Sequence, residues 1–263
     1  MSADTLTPAA VPYLVLDDLS FSYKPGRAES QAISHLSLEV QQGEFTCLVG
    51  PSGCGKSSLL RILSGLEAAD PKSVRWAGRK PHSAMICQKG TVFPWMTVQK
   101  NVEFGIERQI PKKERKAKAA EWIERMGLAP YARRRGSELS GGMSQRVAIA
   151  RALAADTELL LLDEPFAAVD EPTRIKLQQD LLAAWRETRP TVFFVTHSIS
   201  EALLLGDRVV MLSACPATVR DVIRPPFGGE RTALGIEEHP DYPALSRTLW
   251  DGLQSEMIRQ RGE

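Results

Sequence analysis

What this sequence has little of sets the first limits on it. Net charge is almost absent: 33 Lys and Arg against 32 Asp and Glu leave +1, so no global field recruits nucleic acid or an anionic membrane. Cysteine is scarce, and Cys47, Cys54, Cys87 and Cys215 show no C-x-x-C spacing; free thiols in a reducing cytoplasm fit best. No apolar run approaches the ~18 residues of a membrane span, so work at a membrane would require spans from another chain. The opening MSADTLTPAA has neither a basic n-region nor an apolar h-region, and no secretory signal is expected. No internal repeat is found. Basic clusters such as Arg133-Arg134-Arg135 and Lys112-Lys113-Glu114-Arg115-Lys116 read as solvated faces. The 263 residues allow one large domain or one and a half ordinary ones.

What is present centres on Gly50-Pro51-Ser52-Gly53-Cys54-Gly55-Lys56-Ser57, a G-x-x-x-x-G-K-[ST] phosphate-binding loop. Backbone N–H groups can surround a triphosphate only where no Cβ blocks the approach, and Gly53 and Gly55 give that access. A following helix points its positive dipole end at the phosphates. Lys56 adds a point charge at the β/γ oxygens, and the Ser57 hydroxyl can complete a Mg²⁺ octahedron. The context agrees. Phe45-Thr46-Cys47-Leu48-Val49 reads as a buried parallel strand, and Leu59, Ile62, Leu63 and Leu66 as the core stripe of a helix.

Residues 13 to 23 and 33 to 40 alternate apolar and polar, as half-exposed antiparallel strands do, with a turn at Lys24-Pro25-Gly26-Arg27. His35, on a strand, reads as structural. Short strands continue over 72 to 87. From about 91 to 155 the pattern turns helical, with Ala119, Trp122, Ile123 and Met126 as one stripe and Gly127 as its stop. Leu159-Leu160-Leu161-Leu162 reads as a central strand ending in Asp163-Glu164-Pro165, and Thr191 to Val195 as another ending at Thr196-His197. Between them Glu171-Pro172 opens a helix that buries Leu177, Leu181 and Trp185. Ser198-Ile199-Ser200-Glu201 reads as a capping box for a short helix that stops near Gly206, before a strand over Arg208 to Leu212. After about 225 the chain is rich in Pro, Gly and charge, with one weak helix near 244 to 259. Alternating buried strands and helices predict a mostly parallel sheet covered on both faces. Ligand should sit at the strands' C-terminal ends.

Leu139-Ser140-Gly141-Gly142 before a helix is a second anion-binding terminus, although alone it is also an ordinary N-cap. One triphosphate needs one cradle; two cradles suggest a dimer in which each subunit closes the other's nucleotide. At this point the residues resemble a family. LSGGMSQRVAIARAL is similar to the signature motif of the ABC (ATP-binding cassette) ATPases, and GPSGCGKS, Gln88, LSGGMSQR, LLLLDEP, AAVD and His197 stand in that family's order from about Tyr13 to Val222.

The resemblance implies an α/β P-loop NTPase (RecA-like) core with an antiparallel β subdomain and an inserted α-helical subdomain. Residues 1–225 would form the ATPase domain, with the helical subdomain at about 91–155, and 226–263 a short tail. ATP and Mg²⁺ are the implied cofactors. Tyr23 would stack on adenine, with Gly50, Pro51, Ser52, Gly53, Cys54, Gly55, Lys56, Ser57 and Ser58 forming the loop. Gln88 would reach Mg²⁺ and the attacking water, and Asp163 would hold Mg²⁺ through water. Glu164 would polarise that water, and His197 would contact the γ-phosphate. Ser140, Gly141, Gly142 and Asp170 would face a partner subunit's nucleotide site. The implied assembly is two copies of the chain bound to integral membrane permease subunits on the inner face of the cell membrane. A solute-binding protein would take part indirectly, and nucleic acid not at all.

Gln88 through Val98 (QKGTVFPWMTV) looks like the Q-…-L-P-W-L-T-V segment of importer subunits for nitrate, sulfonate, taurine and related small anions. It would place Phe93 and Trp95 toward the permease; the alternative is that both pack inside the helical subdomain. The departures are Ser58 for Thr, Ile86-Cys87 for Val-Phe, Lys89 for an acid and AAVD for the usual A-L-D ending. None removes a catalytic group. A soluble non-transport ABC ATPase, a subunit for another solute class and a catalytically inert nucleotide sensor stay open as alternatives.

Overall fold

The structure is a computed structural model that describes residues 11–23, 31–87, 92–167, 169–228 and 231–262. Gln88, the turn at 24–27 and Ala168 lie outside the described residues. Two sheets carry the fold. Strands β1 (Leu14–Ser22), β2 (Gln31–Val40) and β4 (Val74–Trp76) form an antiparallel sheet in the order β2-β1-β4. The second sheet has six strands in the order β5-β6-β7-β3-β8-β9. These are β5 (Ser83–Ile86), β6 (Leu159–Asp163), β7 (Thr191–Val195), β3 (Phe45–Val49), β8 (Arg208–Leu212) and β9 (Val219–Ile223). All neighbours in it pair parallel except β8 with β9.

The apolar runs are continuous because both faces of this sheet are covered. Phe45, Cys47, Leu160, Leu162, Val192 and Phe194 pack into a core on one side with the helices α2 (Val98–Glu103), α3 (Lys112–Arg125), α4 (Gly141–Ala154) and α5 (Glu171–Thr188). Leu48, Leu159, Leu161, Phe193 and Val195 point the other way, into a core closed by α1 (Lys56–Ser64) and the antiparallel sheet. Alternation of period two thus sorts each strand between two cores.

Three expectations are revised. Leu66 does not extend the α1 stripe. Gly65, at φ +86, closes the helix by donating its N–H to Arg61 O and Ile62 O, and Leu66 stays exposed. The capping box is half formed. Ser198 Oγ accepts the Glu201 N–H, but the Glu201 carboxylate turns inward to Thr196 and Gln178, and the Ser198 N–H goes to Thr196 Oγ1. The C-terminal helix is longer than its weak pattern suggests. Helix α8 (Tyr242–Arg261) follows a short α7 (Ala233–Glu237), buries Leu249 and Glu256, and rests on β8 and on α6 (Ile199–Leu205).

Candidate nucleotide site

Strand register builds the site. Leu48 of β3 and Asp163 of β6 both pair with Val195 of β7, so three neighbouring parallel strands end in one row. The chain leaving that row supplies Gly50–Gly55 after β3, Glu164 after β6 and Thr196-His197 after β7. Residues more than a hundred positions apart meet because parallel strands align their C-terminal ends.

Gly55 is the N-cap of α1 at φ +119, where a Cβ would lie 2.5 Å from Ala32 O, so only glycine fits. Gly53 is also left-handed, at φ +75. No side chain caps α1, which leaves its first-turn N–H groups directed at the loop. Lys56 is 4% exposed, and its Nζ donates to Gly50 O at 2.8 Å and Pro51 O at 2.7 Å, with Cys54 Sγ at 3.7 Å. The loop thus closes around its own ammonium. Burial pushes the Cys54 thiol up in pKa, against the pull of Lys56.

Ser57 Oγ donates to Asp163 Oδ1 at 3.0 Å across the loop. Burial raises the Asp163 carboxyl above its usual range; the Ser57 bond opposes this and the Glu164 charge adds to it. Two hard oxygen donors, one of them a desolvated carboxylate, suit Mg²⁺, which takes few protein ligands and completes its shell with phosphate and water. Among the described residues no cluster of three or more His, Cys, Asp and Glu could hold a metal.

Next to Asp163, Glu164 adopts φ +47, a conformation that costs a non-glycine residue on the order of 1–3 kcal/mol. Its N–H donates to Val195 O, and its Oε1 accepts from His197 Nε2 at 2.7 Å. His197 keeps 45% of its side chain exposed. Tyr23 lines the same cleft of about 270 Å³ with Gly53, Lys56, Ser57 and Glu164. Its hydroxyl bonds Ser58 Oγ at 2.9 Å and its ring edge-stacks on Phe21. The Ser58 hydroxyl is therefore committed to Tyr23. Gln31, Ala32 and Cys215 also line the cleft. No motif marks them, since they arrive from β2 and from the loop after β8.

Four of the site residues named from the sequence, those assigned to a partner's nucleotide, lie outside this cleft. Ser140 N-caps α4, its Oγ accepting the Met143 N–H at 3.3 Å, and Ser140, Gly141 and Gly142 line neither this cleft nor the neighbouring cavity beside His197. They lie next to the start of α5, where a Cβ on Gly142 would meet Thr173 Cγ2 at 2.7 Å. Asp170 N-caps α5 on the same face, and the Thr173 bonds hold its carboxyl below the usual range. The signature turn and Asp170 thus share one surface apart from the phosphate loop. Trp95 is 68% exposed, while Phe93 is half-buried against Phe104 and Arg151. Sequence reasoning missed two features: the inward-facing Glu201, and Gln260 of α8, whose Nε2 donates to Ser52 O.

A profile of the family described as "ABC transporter" matches residues 33–167. An uncharacterized ABC transporter ATP-binding protein of Methanocaldococcus jannaschii is 45% identical over 215 residues, covering 79% of this chain and 80% of its own length. The bicarbonate transport ATP-binding protein CmpD of Synechococcus elongatus is 38% identical over 256 residues, 94% of this chain and 92% of its own. The nitrate import ATP-binding protein NrtD of the same species is 38% identical over 250 residues, covering 92% and 91%. Among solved structures, a dimeric ATP-binding cassette in a post-hydrolysis state with ADP and phosphate superposes with TM-score 0.70 at 29% identity, over 80% of this chain and 98% of that one. On the loop, the strand-end acids and these relatives together, the chain belongs to the ABC transporter family, as one of its ATP-binding members.

Proposed function

We propose that this chain hydrolyses ATP to ADP and phosphate as a homodimer, at the inner face of a membrane, and thereby energises uptake of a small anion through permease subunits. The observation that carries this reading is the convergence of the Ser57–Asp163 and Glu164–His197 pairs on one phosphate loop. Phosphoryl transfer asks mainly for positioning and charge neutralisation. The first-turn N–H groups of α1 and the Lys56 ammonium bind the phosphates. Ser57 and Asp163 would hold Mg²⁺, which would supply charge neutralisation to the phosphates when bound. Glu164 takes a proton from the attacking water, and His197 fixes the carboxylate that receives it. Gln88 is assigned to the same water by its place in the motif order. Tyr23 offers its ring to the adenine.

The Ser140–Gly142 turn and Asp170 lie apart from the chain's own cleft, which supports a site completed by a second copy. The dimeric cassette that this chain resembles is consistent with that arrangement. No helix among the described residues is long and apolar enough to cross a membrane, so the permease would be other chains. Exposed Trp95 is the anchor proposed to face them. Bicarbonate and nitrate, named for two relatives, are both small anions, which favours that solute class; a binding protein would deliver the solute.

The test is phosphate release with MgATP. Wild type should release phosphate, and Lys56→Ala should weaken ATP binding, with the permease co-purifying in both cases. Absence of phosphate release by wild type, even with its permease present, would favour an inert nucleotide sensor.

A further inference from the structure

We propose that Glu201 is a positioning residue for His197, and that Arg174 links it to the partner-facing loop at Val169–Asp170. The inference rests on the role given to His197 above.

Glu201 lies on α6, four residues beyond His197, and is only 6% exposed. Such burial is unusual for a carboxylate with no fully bonded cationic partner. Its Oε2 accepts from Thr196 Oγ1 at 2.5 Å, and that hydroxyl accepts the Ser198 N–H at 3.0 Å. One carboxylate oxygen therefore fixes the residues on both sides of His197. The other oxygen, Oε1, accepts from Gln178 Nε2 at 3.1 Å and lies 4.0 Å from Arg174 Nε. Arg174 Nη2 donates to Val169 O at 3.1 Å, and Nη1 pairs with Glu171 at 2.9 Å. Arg174 Nε is buried without a hydrogen-bond partner. Its 4.0 Å separation from Glu201 Oε1 is just beyond bonding distance.

The chain of contacts runs from Val169, beside Asp170, through Arg174 and Glu201 to Thr196 and then to the His197–Glu164 pair. A cavity of about 180 Å³, lined by Glu164, Phe166, Arg174, Thr196, His197 and Glu201, leaves these groups room to shift. A displacement of about 1 Å at Val169–Asp170 would close the Arg174–Glu201 gap to a charge-assisted hydrogen bond. Movement of the loop that meets the second copy would then reach the imidazole through packed polar groups rather than through the nucleotide.

A satisfied but merely structural carboxylate makes different predictions, and the experiment is built on that difference. Steady-state hydrolysis of MgATP by the full chain should show kcat for Glu201→Ala lowered about a hundredfold, the scale of a 1 Å misplacement, with KM within about twofold. In the His197→Ala background the same substitution should lower kcat no further; losses that multiply would overturn the proposal. Glu201→Gln keeps an acceptor for Thr196 and the side-chain volume, which guards against failure to fold. It should melt as wild type does yet lose roughly tenfold in kcat, because Arg174 no longer meets a charge; wild-type turnover would overturn the Arg174 link. Imidazole NMR reads the position of His197 independently of catalysis, among only four histidines. An unchanged His197 signal in Glu201→Ala overturns the proposal. Full turnover by His197→Ala would instead strike the role of His197 itself.

Discussion

At the scale of single residues, the site is a set of groups held in costly states. Asp163 is a partly buried carboxylate whose pKa is raised chiefly by desolvation. The native state therefore binds its proton more tightly than the unfolded chain does. Its contribution to the stability of the nucleotide-free protein falls as pH rises through the raised folded pKa and grows on acidification toward the unfolded value. Asp163→Asn removes the charge and keeps an oxygen that accepts from Ser57. It should raise Tm by about 2–4 °C at pH 7, a gap that narrows as pH is lowered, and should abolish the extra stabilisation given by MgATP. Differential scanning fluorimetry across pH checks this; an unchanged or lower Tm at pH 7 would refute the desolvation argument. Glu164 carries a second cost, in its left-handed backbone, beside the bond from its carboxylate to His197.

At the scale of elements, α5 and α8 show what patterns reveal and what they hide. The apolar spacing of Leu177, Leu181 and Trp185 made the buried face of α5 legible, because a helix turned against a sheet must repeat every 3.6 residues. Trp185 stacks edge-on against Phe45 and donates Nε1–H to Pro190 O at 3.1 Å. Trp185→Ala should cost about 3–5 kcal/mol in urea unfolding. A loss below 1 kcal/mol would show that the site collapses or that the ring is not packed. Helix α8 is only weakly legible in the sequence because its buried contacts are few and partly polar. Glu256, 1% exposed, accepts the Ala214 N–H at 3.0 Å and pairs with Arg220 and Arg259. No hydrophobic pattern announces such a residue. Glu256→Ala should destabilise by about 0.5–1.5 kcal/mol, the net worth of a hydrogen bond, since it removes the acceptor of the part-buried Ala214 N–H while Arg220 and Arg259 keep access to water. Equilibrium unfolding that shows no change would mean that the Ala214 N–H finds water. The inward turn of Glu201 was hidden for a related reason. Ser198 and Glu201 fit a capping pattern in sequence, and only the fold shows Thr196 and Gln178 taking the carboxylate.

At the scale of the whole molecule, the strand–loop–helix order around the phosphate loop was legible because its glycines, lysine and serine answer one chemical demand at fixed spacing. The meeting of Ser57 with Asp163, and of Glu164 with His197, follows from strand order β6-β7-β3, which local patterns do not encode. The central claim is that one chain holds only half of the machinery around each nucleotide, since the Ser140–Gly142 turn and Asp170 lie apart from the cleft of their own chain. The most direct measurement is sedimentation velocity of Glu164→Gln with saturating MgATP. That variant keeps the loop and, on the role proposed for Glu164, should slow hydrolysis, so ATP should persist and hold two chains together. The account predicts a dimer that requires ATP, that does not form with ADP, and that is lost when Gly142→Asp is added. A protein that stays monomeric at saturating ATP, or that dimerises equally without nucleotide, would contradict it.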